Sequence, residues 1–365
     1  MSKCRLDSVA VIKFLALAGI YWWHCPLPKP HVGLGGTMCT FLFVAAGFLV
    51  AYNYLDRNES WSWPSCVRYL IYKFLLAWPL HAVMFAVCAV FLCGRVFSSP
   101  QGWLIALSNL LMLHAWVPRA EFFFSFNGAT WFLSALLPCY LLALPVVAVC
   151  RRRLQAVAIF VACCVLYCGF VSASRGGLLP FAVVLHVSPV SRFLQFCIGI
   201  SGCAMCLDLV DRIREQCGLV NILETLAFVL FLGISWWIRD IYSVLFPVAF
   251  MCILAVFSMN AGWISWLAGW KPLQTLASCQ FEFFVIHQVV IRMFSHFFHD
   301  WIRVHLRAGH NLICISYILT EAVLAVALSL VWHFSFAKST KRMADKISRS
   351  VFAHSRMFKC GVIDS

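Results

Sequence analysis

Charged residues are scarce in this sequence, and their scarcity excludes a soluble globular fold. Only 12% of the 365 residues are charged and 63% are hydrophobic, whereas soluble domains carry about 25% charged residues. No hydrophilic stretch is long enough to form a separate soluble domain. We therefore predict an all-α polytopic bundle of transmembrane helices over residues 1–336, followed by a basic cytoplasmic tail over residues 337–365.

Acidic residues are also few, since 14 Asp and Glu stand against 28 Lys and Arg. The formal net charge of +14 could indicate a nucleic-acid partner. The basic residues lie in short loops and in the tail, however, which is the distribution that the positive-inside rule describes, so no nucleic acid is expected. The apolar run after Lys3 and Arg5 lacks a small-residue cleavage pattern and is predicted to be an uncleaved first helix.

Metal-ligand spacings are missing although the chain has 19 cysteines. Cys203-Ala-Met-Cys206 has the CxxC spacing, but it lies within an apolar helix and has no matching cluster elsewhere. Neither a metal site nor a disulfide framework is expected. Small buried hydrophobes are the predicted role of the cysteines in apolar segments, namely Cys88, Cys93, Cys163, Cys164, Cys168, Cys197, Cys203, Cys206 and Cys252.

What the sequence does contain is a series of apolar runs of membrane-spanning length. Their approximate limits are 8–24, 35–54, 70–93, 129–149, 154–171, 193–208, 221–237, 241–258, 273–294 and 311–334. The larger share of the basic residues falls on the side of both termini, so we expect about ten spans, N-in and C-in. The short apolar stretch 102–117 is expected to lie at the interface or to re-enter.

The first span carries two ionisable residues, Lys13 and His24. Eleven residues are close to three helical turns, so the two side chains fall on nearly the same face, about 16 Å apart along the axis. Ionisable groups in an apolar span are costly to insert, and function is their default interpretation. From these two residues alone, snorkelling toward the two ends of a short span is an equally open alternative.

Five local patterns occur in order along the chain. They are Leu6-Asp7 followed by Lys13 and His24; Phe41-Leu42-Phe43-Val44-Ala45-Ala46-Gly47-Phe48-Leu49; Asn127-Gly128-Ala129-Thr130-Trp131-Phe132-Leu133-Ser134 with Tyr140-Leu141-Leu142; Arg192-Phe193-Leu194-Gln195-Phe196-Cys197-Ile198-Gly199; and Phe281-Glu282-Phe283-Phe284-Val285-Ile286-His287-Gln288. Each pattern alone is weak because apolar helices generate similar strings. Together, over residues 5 to about 334, they resemble the acyltransferase 3 family of membrane acyltransferases.

The chain departs from that family's pattern at several positions. Ala46 and Gln280 stand where serine is usual, and Phe284 stands where tyrosine is usual. Leu76 replaces a basic residue. Acids are replaced by Leu136 or Leu137 and by Gln195. Lys13 stands where arginine is more common. These departures leave the resemblance in fold intact, but they make transfer of a substrate from any family member unsafe.

The resemblance implies acyl transfer from acetyl-CoA to a hydroxyl. Such a transfer needs a base for the acceptor or a nucleophile that carries the acyl group, and histidine can serve either role near neutral pH. His24, near the outer end of its span, is the predicted base or acyl carrier, and His287 is a second catalytic candidate. Lys13, deeper toward the cytoplasm, is predicted to be catalytic and to contact the donor. Glu282 lies five residues before His287, a spacing that does not favour a direct pair.

The remaining candidates come from the same segments. Lys73 and Arg68 are predicted to bind the donor's phosphates, with positive-inside anchoring as the alternative for Lys73. Substrate binding is the prediction for Asn127, Trp131, Ser134, Arg192, Gln195 and Glu282, although packing is preferred for Trp131 and snorkelling competes evenly at Arg192. The segment 295–310, with its aromatic, basic and imidazole groups, is read as an external loop, and a membrane-interface belt is preferred over a sugar-stacking surface.

The resemblance thus implies an integral O-acyltransferase of the inner (plasma) membrane that moves acetyl from cytosolic acetyl-CoA to a hydroxyl of an extracytoplasmic or lipid-linked glycan. Donor, acceptor and bilayer are its expected partners. One alternative is a transporter or flippase of a lipid-linked saccharide, which the lack of a visible internal repeat weakens. Another is an inactive acyltransferase-like partner subunit, motivated by the lost family positions. The tail is expected to be a basic membrane-surface segment, partly disordered.

Overall fold

The computed structural model describes residues 6–25, 33–57, 61–92, 94–178, 182–236, 243–307 and 311–351, and in these ranges the chain is helical without a β-strand. The α-helices are α1 (Asp7–His24), α2 (Leu34–Tyr54), α3 (Trp63–Phe91), α4 (Pro100–Leu110), α5 (Ala120–Phe123), α6 (Trp131–Cys150), α7 (Arg153–Arg175), α8 (Pro189–Ile213), α9 (Cys217–Trp236), α10 (Leu245–Ser258), α11 (Trp263–Ala268), α12 (Lys271–Ser278), α13 (Gln280–Arg307), α14 (Asn311–Trp332) and α15 (Lys338–Ser350). Tight 3₁₀ turns occupy Gly94–Ser98, His114–Trp116 and Gly128–Thr130, and π-helical segments occupy Ala182–Val187 and His333–Ala337. The predicted all-α bundle is confirmed.

Eight of the described helices are long and apolar enough to cross a membrane, namely α2, α3, α6, α7, α8, α9, α13 and α14. The other two predicted spans fall on α1 and α10, of which α10 has only 14 residues. A count of ten spans and the N-in, C-in arrangement stay predictions. In the stretch 102–117 the structure has α4, whose 11 residues give a length of about 16 Å, shorter than the roughly 30 Å hydrocarbon core.

The centre of the bundle is the contact between α2 and α8. α2 carries no charged residue and is buried over most of its length. A Cβ atom at Gly47 would collide with the carbonyl of Phe196 in α8, and one at Gly199 would collide with the carbonyl of Val44 in α2. Small residues of this kind let two helix backbones approach closely. Both glycines belong to patterns that carry the family resemblance, so part of that resemblance reflects helix packing.

The start of α8 fixes the position of Arg192. The Ser188 side chain accepts a hydrogen bond from the backbone N–H of Val190, and Pro189 occupies the first helical position. An oxygen-bearing cap followed by proline is a strong signal for the start of a helix, because proline lacks an N–H that would otherwise be unsatisfied there. Arg192 therefore lies in the first turn of α8, where its backbone N–H bonds to the Ser188 carbonyl at 3.2 Å.

One prediction about the C-terminal third is wrong. Residues 295–307 do not form part of a loop as predicted, because α13 continues as a helix to Arg307. Neither glycine nor proline interrupts residues 280–307, and the first such residue is Gly309. The predicted tail begins with a helix over Lys338–Ser350 that is joined without a break to α14, and its partial disorder and its position at the membrane surface stay predictions. Residues 1–5, which include Lys3 and Arg5, residues 352–365, His310 and the side chains of His299, Arg303, His305 and Arg307 lie outside the described part.

The cysteines are less uniform than predicted. Cys88, Cys163, Cys197 and Cys203 are buried, whereas Cys168 and Cys252 are exposed on the outer faces of their helices and Cys164 and Cys206 are partly exposed. The composition of an apolar helix does not tell which of its faces packs inward, because the lipid-facing side is apolar too. Cys93 lies outside the described residues.

Candidate active site

Three histidines from separate parts of the chain meet at one end of the bundle. They are His24 at the end of α1, His287 in α13 and His186 in the π-helical segment, and we call them the histidine cluster. The ring centroids of His24 and His287 are 5.5 Å apart, and His186 lies within electrostatic range of His24. Burial, together with nearby Arg192 and His24, lowers the pKa of His186 to about 3, so this imidazole is neutral at physiological pH.

His287 is held with one ring nitrogen available. Its Nδ1 lies 2.8 Å from the carbonyl oxygen of Phe284 and 3.1 Å from that of Phe283. Both neighbours are acceptors, so Nδ1 must carry the proton, and the neutral ring keeps its lone pair on Nε2. Nε2 is buried and has no hydrogen-bond partner among the described residues. A buried polar atom without a partner is costly to fold, which marks this nitrogen as a candidate for chemistry.

A backbone turn at Gly128–Thr130 positions the glutamine beside His287. The side-chain oxygen of Gln288 accepts a short hydrogen bond from the backbone N–H of Ala129, and its Nε2 lies 3.5 Å from Nδ1 of His24. A Cβ at Gly128 would come within 3.3 Å of this amide, so glycine allows the close approach. Asn127 fastens the turn to α13 by donating to the carbonyl of Val285 at 2.7 Å.

Arg192 is a fully buried cation beside the histidine cluster. Its guanidinium donates to the carbonyl oxygen of His186 at 2.9 Å, to Oγ1 of Thr40 at 3.0 Å and to Oε1 of Gln195 at 2.7 Å. All three acceptors are uncharged. A buried cation held by neutral groups keeps an attraction for an anion or for developing negative charge. The snorkelling alternative for Arg192 is therefore wrong.

Trp131 and Ser134 differ in what they contact. The Trp131 ring lies 4.8 Å from the His186 ring, and the Arg192 guanidinium lies 5.3 Å above it. Ser134 accepts a hydrogen bond from the backbone N–H of Ala115 at 3.0 Å. Trp131 thus forms a wall of the histidine cluster, whereas the side chain of Ser134 holds the turn at His114–Trp116.

A cavity of about 310 Å³, which we call the lysine cavity, lies among the five helices α1, α2, α3, α6 and α13. Its lining residues are Lys13, Leu17, Leu42, Ala46, Leu49, Val50, Asn53, Tyr54, Tyr69, Tyr72, Lys73, Leu76, Phe132, Leu133, Leu136, Tyr140, Gln280, Phe281 and Phe284. Two of these residues are cationic, and none is acidic. Such an arrangement favours an anionic or electron-rich ligand.

The two lysines come from different helices and lie within electrostatic range of each other. Nζ of Lys73 lies 5.4 Å from the ring centroid of Tyr69 and 5.2 Å from that of Tyr140. Cation–π contacts of this kind stabilise a desolvated ammonium. Lys73 therefore points into the bundle, and simple anchoring at the membrane surface does not describe it.

Phe284 separates the lysine cavity from the histidine cluster. Its ring lines the cavity, and its centroid lies 6.0 Å from the His287 ring. The Phe132 ring, 5.1 Å away from that of Phe284, lines the same wall. Lys13 and His24 thus lie on opposite sides of one aromatic layer, although both belong to α1.

Glu282 and Arg68 belong neither to the histidine cluster nor to the lysine cavity. Glu282 is buried and pairs with Nδ1 of His333 at 3.0 Å, so the doubt about a Glu282–His287 pair is confirmed. Arg68 lies in the first third of α3, and its Nη2 is buried without a hydrogen-bond partner among the described residues. It does not line the lysine cavity.

Three residues of this end of the bundle were not singled out from the sequence. His186 lies in an irregular segment that no pattern covers. Thr40 precedes a pattern by one residue, and Gln288 ends one, but neither was given a role. Contacts between distant segments leave no periodic pattern in the sequence, so the proximity of Thr40 and His186 to Arg192 could be recognised only in the structure. For Gln288, a polar residue directly after a buried histidine was the available signal.

The comparisons with known proteins agree with this geometry. The chain is 25% identical over 327 residues to the acyltransferase MdmB of Streptomyces mycarofaciens, an alignment that covers 79% of each chain. No solved structure matches it. The sequence profile described as an acyltransferase domain, that of the acyltransferase 3 family, matches residues 6–336. The protein is therefore a membrane acyltransferase of the acyltransferase 3 family.

Proposed function

We propose that this acyltransferase moves an acetyl group from cytosolic acetyl-CoA to a hydroxyl of an extracytoplasmic or lipid-linked glycan, in the inner membrane. The observation that carries the proposal is the arrangement along α1 and α13. Each of these helices contributes residues to the lysine cavity and one residue to the histidine cluster: α1 contributes Lys13 and His24, and α13 contributes Phe284 and His287. A donor-binding cavity and a pair of proton-accepting groups thus adjoin each other.

In the proposed reaction, the acceptor hydroxyl attacks the thioester carbonyl. A histidine of the cluster takes the hydroxyl proton, the C–S bond breaks, and the proton passes to the departing thiolate, which leaves the acetyl ester and free CoA. His24 is the proposed base or acyl carrier. The bare Nε2 of His287 supports a share in the proton transfer.

Negative charge develops on the carbonyl oxygen during the attack and needs a donor. Arg192 is the proposed source of that stabilisation, because it is buried beside His186 and bonded only to neutral acceptors. Trp131, whose ring covers both His186 and Arg192, is a proposed platform for the acceptor's sugar ring. Lys13 and Lys73 are the proposed contacts of the donor.

One departure from the family pattern bears on the inactive-subunit alternative. Gln195 replaces an acid, yet its Oε1 accepts from Arg192 at 2.7 Å, the bond that a carboxylate oxygen would also accept. The hydrogen bond from Arg192 to residue 195 is therefore present without the negative charge of an acid. This supports an enzyme that still catalyses transfer.

The test is turnover by the purified protein in lipid nanodiscs, followed as release of the CoA thiol, together with ester-linked acetate on envelope glycans of a deletion strain. We expect wild-type protein to restore the acetate and His24→Ala to fail, while His296→Ala, an exposed histidine of α13, restores it as well as wild type. Intact acetylation in the His24→Ala strain would contradict the catalytic role. Absence of turnover by wild type with all envelope glycans would favour the flippase or partner-subunit alternative.

A further inference from the structure

α15 is a cationic helix that packs against α3. Five of its residues are basic, Lys338, Lys341, Arg342, Lys346 and Arg349, and one, Asp345, is acidic. Ala344 and Ser348 are buried, and the helix continues from α14 through the π-helical segment. Its position is therefore set by a membrane-length helix and by packing, and it is not a loose tail.

The side of α15 that packs inward faces α3, the helix that carries Lys73. Lys341 precedes Ala344 and Ser348 by three and seven residues, so it shares their face and is half-buried. It lies within electrostatic range of Lys73, and Asp345 lies within electrostatic range of Tyr72. Lys73 and Tyr72 both line the lysine cavity, so the inward side of α15 lies near the α3 wall of that cavity.

Lysines of three helices are thus linked electrostatically, because Lys73 lies within electrostatic range of both Lys13 and Lys341. Like charges in a desolvated region repel, and this costs stability unless an anion binds there. Arg68 adds a fourth cation, one helical turn before Tyr72, with its Nη2 buried and unpartnered among the described residues. α15 supplies one carboxylate beside these cations, since Asp345 accepts from Arg349 at 2.8 Å and lies within electrostatic range of Lys341.

The size of the lysine cavity indicates where such an anion lies. About 310 Å³ is at the lower end of the 300–1,000 Å³ that small-molecule sites span. A whole acyl-CoA is larger than the drug-sized ligands that such sites hold. The apolar interior suits the thioester and its pantetheine arm, and the charged nucleotide end must then lie at the edge, beside α15.

We propose that α15 completes the donor site, with Lys341 and Arg68 binding the phosphates at the nucleotide end of acyl-CoA while the thioester arm occupies the lysine cavity. The proposal rests on the CoA thioester donor of the proposed function. The outward stripe of Lys338, Arg342, Lys346 and Arg349, at spacings of three and four, faces away from that site.

The test compares two donors in nanodiscs of neutral lipid, acetyl-CoA and acetyl-pantetheine, which has the same thioester arm without the nucleotide. We expect Lys341→Gln to raise KM for acetyl-CoA about tenfold, the loss of one charged contact, with little change in kcat. KM for acetyl-pantetheine stays at the wild-type value. Arg68→Gln behaves in the same way, and Lys341→Arg restores much of the wild-type KM.

Lys346→Gln is the matched control, because it removes the same charge from the outward stripe of the same helix. It leaves both KM values unchanged. An unchanged KM for acetyl-CoA in Lys341→Gln, or an equal rise for both donors, would overturn the proposal. So would equal effects of Lys341→Gln and Lys346→Gln that appear only in anionic lipid, since α15 would then bind lipid headgroups.

Equilibrium binding of CoA separates this proposal from the proposed function. We expect the purified protein to bind CoA, 3′,5′-ADP to compete with it, and Lys341→Gln to weaken both. Binding without any transfer would refute the reaction but retain the phosphate site. Transfer from acetyl-CoA without competition by 3′,5′-ADP would refute the phosphate site alone. A wild-type protein that binds no CoA would overturn both.

Discussion

The lysine cavity and the histidine cluster differ in how they relate to the family pattern. The departures at Ala46, Leu76, Leu136, Gln280 and Phe284 all line the lysine cavity. In and around the histidine cluster, the chain keeps the family's pattern residues His24, Asn127, Trp131, Arg192, His287 and Gln288. Gln195 is the exception there. The groups proposed for chemistry are thus the unaltered ones. The lysine cavity departs from the family pattern instead, and most of these departures replace a polar lining residue by an apolar one.

The two regions also differ physically. Side chains of the histidine cluster are held by hydrogen bonds from four helices and one turn, as at Arg192 and Gln288. Lys13 and Lys73 lie in an apolar cavity without an acidic lining residue. Fixed dipoles suit transition-state stabilisation, whereas unneutralised charge suits recognition of an anion. These differences support the proposed roles, transfer at the histidine cluster and donor binding in the lysine cavity.

The largest effect should come from removing an imidazole of the histidine cluster. We expect His24→Ala or His287→Ala to lower kcat by about 10²–10⁴, the usual contribution of general acid–base catalysis, with KM for acetyl-CoA nearly unchanged. Steady-state kinetics in nanodiscs measures both, with His296→Ala as the control. A rise in KM for acetyl-CoA without a fall in kcat would instead place these histidines in donor binding.

Arg192→Lys should have the next largest effect. Lysine keeps the charge but lacks the fork that reaches Thr40, Gln195 and the His186 carbonyl together. We expect kcat to fall about a hundredfold, within the range found when a donor to developing oxyanion charge is removed. The thermal unfolding temperature of the variant shows whether the loss is only structural. Activity that stays at the wild-type level would contradict the proposed role of Arg192.

Lys13→Gln and Lys73→Gln should act on donor binding. We expect each to raise KM for acetyl-CoA about tenfold with a small change in kcat, because each removes one charged contact. The double variant should show a combined effect that differs from the sum of the two, since the lysines interact. Equal loss of kcat in both single variants would place Lys13 and Lys73 in the transfer step.

Phe284→Ala tests the aromatic layer between the two regions. Its ring excludes water from the path between cavity and His287, so its removal should raise hydrolysis of acetyl-CoA relative to transfer by a few-fold. The ratio of released thiol to glycan acetate measures this change. Phe284→Tyr, which restores the family's usual residue while keeping the ring, is the matched control. If the ratio of released thiol to glycan acetate stayed at the wild-type value in both variants, the proposed exclusion of water by the aromatic layer would be wrong.

The smallest effect concerns acid stability. The folded pKa of His186 is about 3, and that of histidine in an unfolded chain is about 6.5. Between these values the unfolded chain binds a proton that the native state does not, so stability falls as pH is lowered from about 6.5 toward 3. His186→Asn should flatten this part of the unfolding-temperature profile, and Lys13→Gln should not. Equal slopes in all three proteins would contradict the assignment.

Local patterns predicted the helices well and their ends poorly. Each predicted span overlaps a described helix, because apolar runs of that length must satisfy their backbone hydrogen bonds internally, although 273–294 is divided between α12 and α13. The continuation of α13 beyond residue 294 and the helix α15 were not predicted, since polar and aromatic composition alone does not end a helix. α15 is ordered through its packing against α3, a contact between distant segments that carries no local signal.

The candidate site was predicted in part. His24, His287 and Arg192 were named from their segments and lie at one end of the bundle, and Lys13 and Lys73 line one cavity. The separation of Lys13 from His24 by Phe284 was not visible, because helix geometry gives a distance but no intervening side chain. His186 joined the cluster only through tertiary contacts.

The most direct test of the division between the two regions is equilibrium binding of acetyl-CoA alongside single-turnover transfer. We expect His24→Ala to bind acetyl-CoA with the wild-type Kd and to transfer no acetyl group. The Lys13→Gln, Lys73→Gln double variant should bind more weakly by at least tenfold and transfer at near the wild-type rate once saturated. Loss of acetyl-CoA binding in His24→Ala, or a slow single turnover in the saturated lysine variant, would contradict the account.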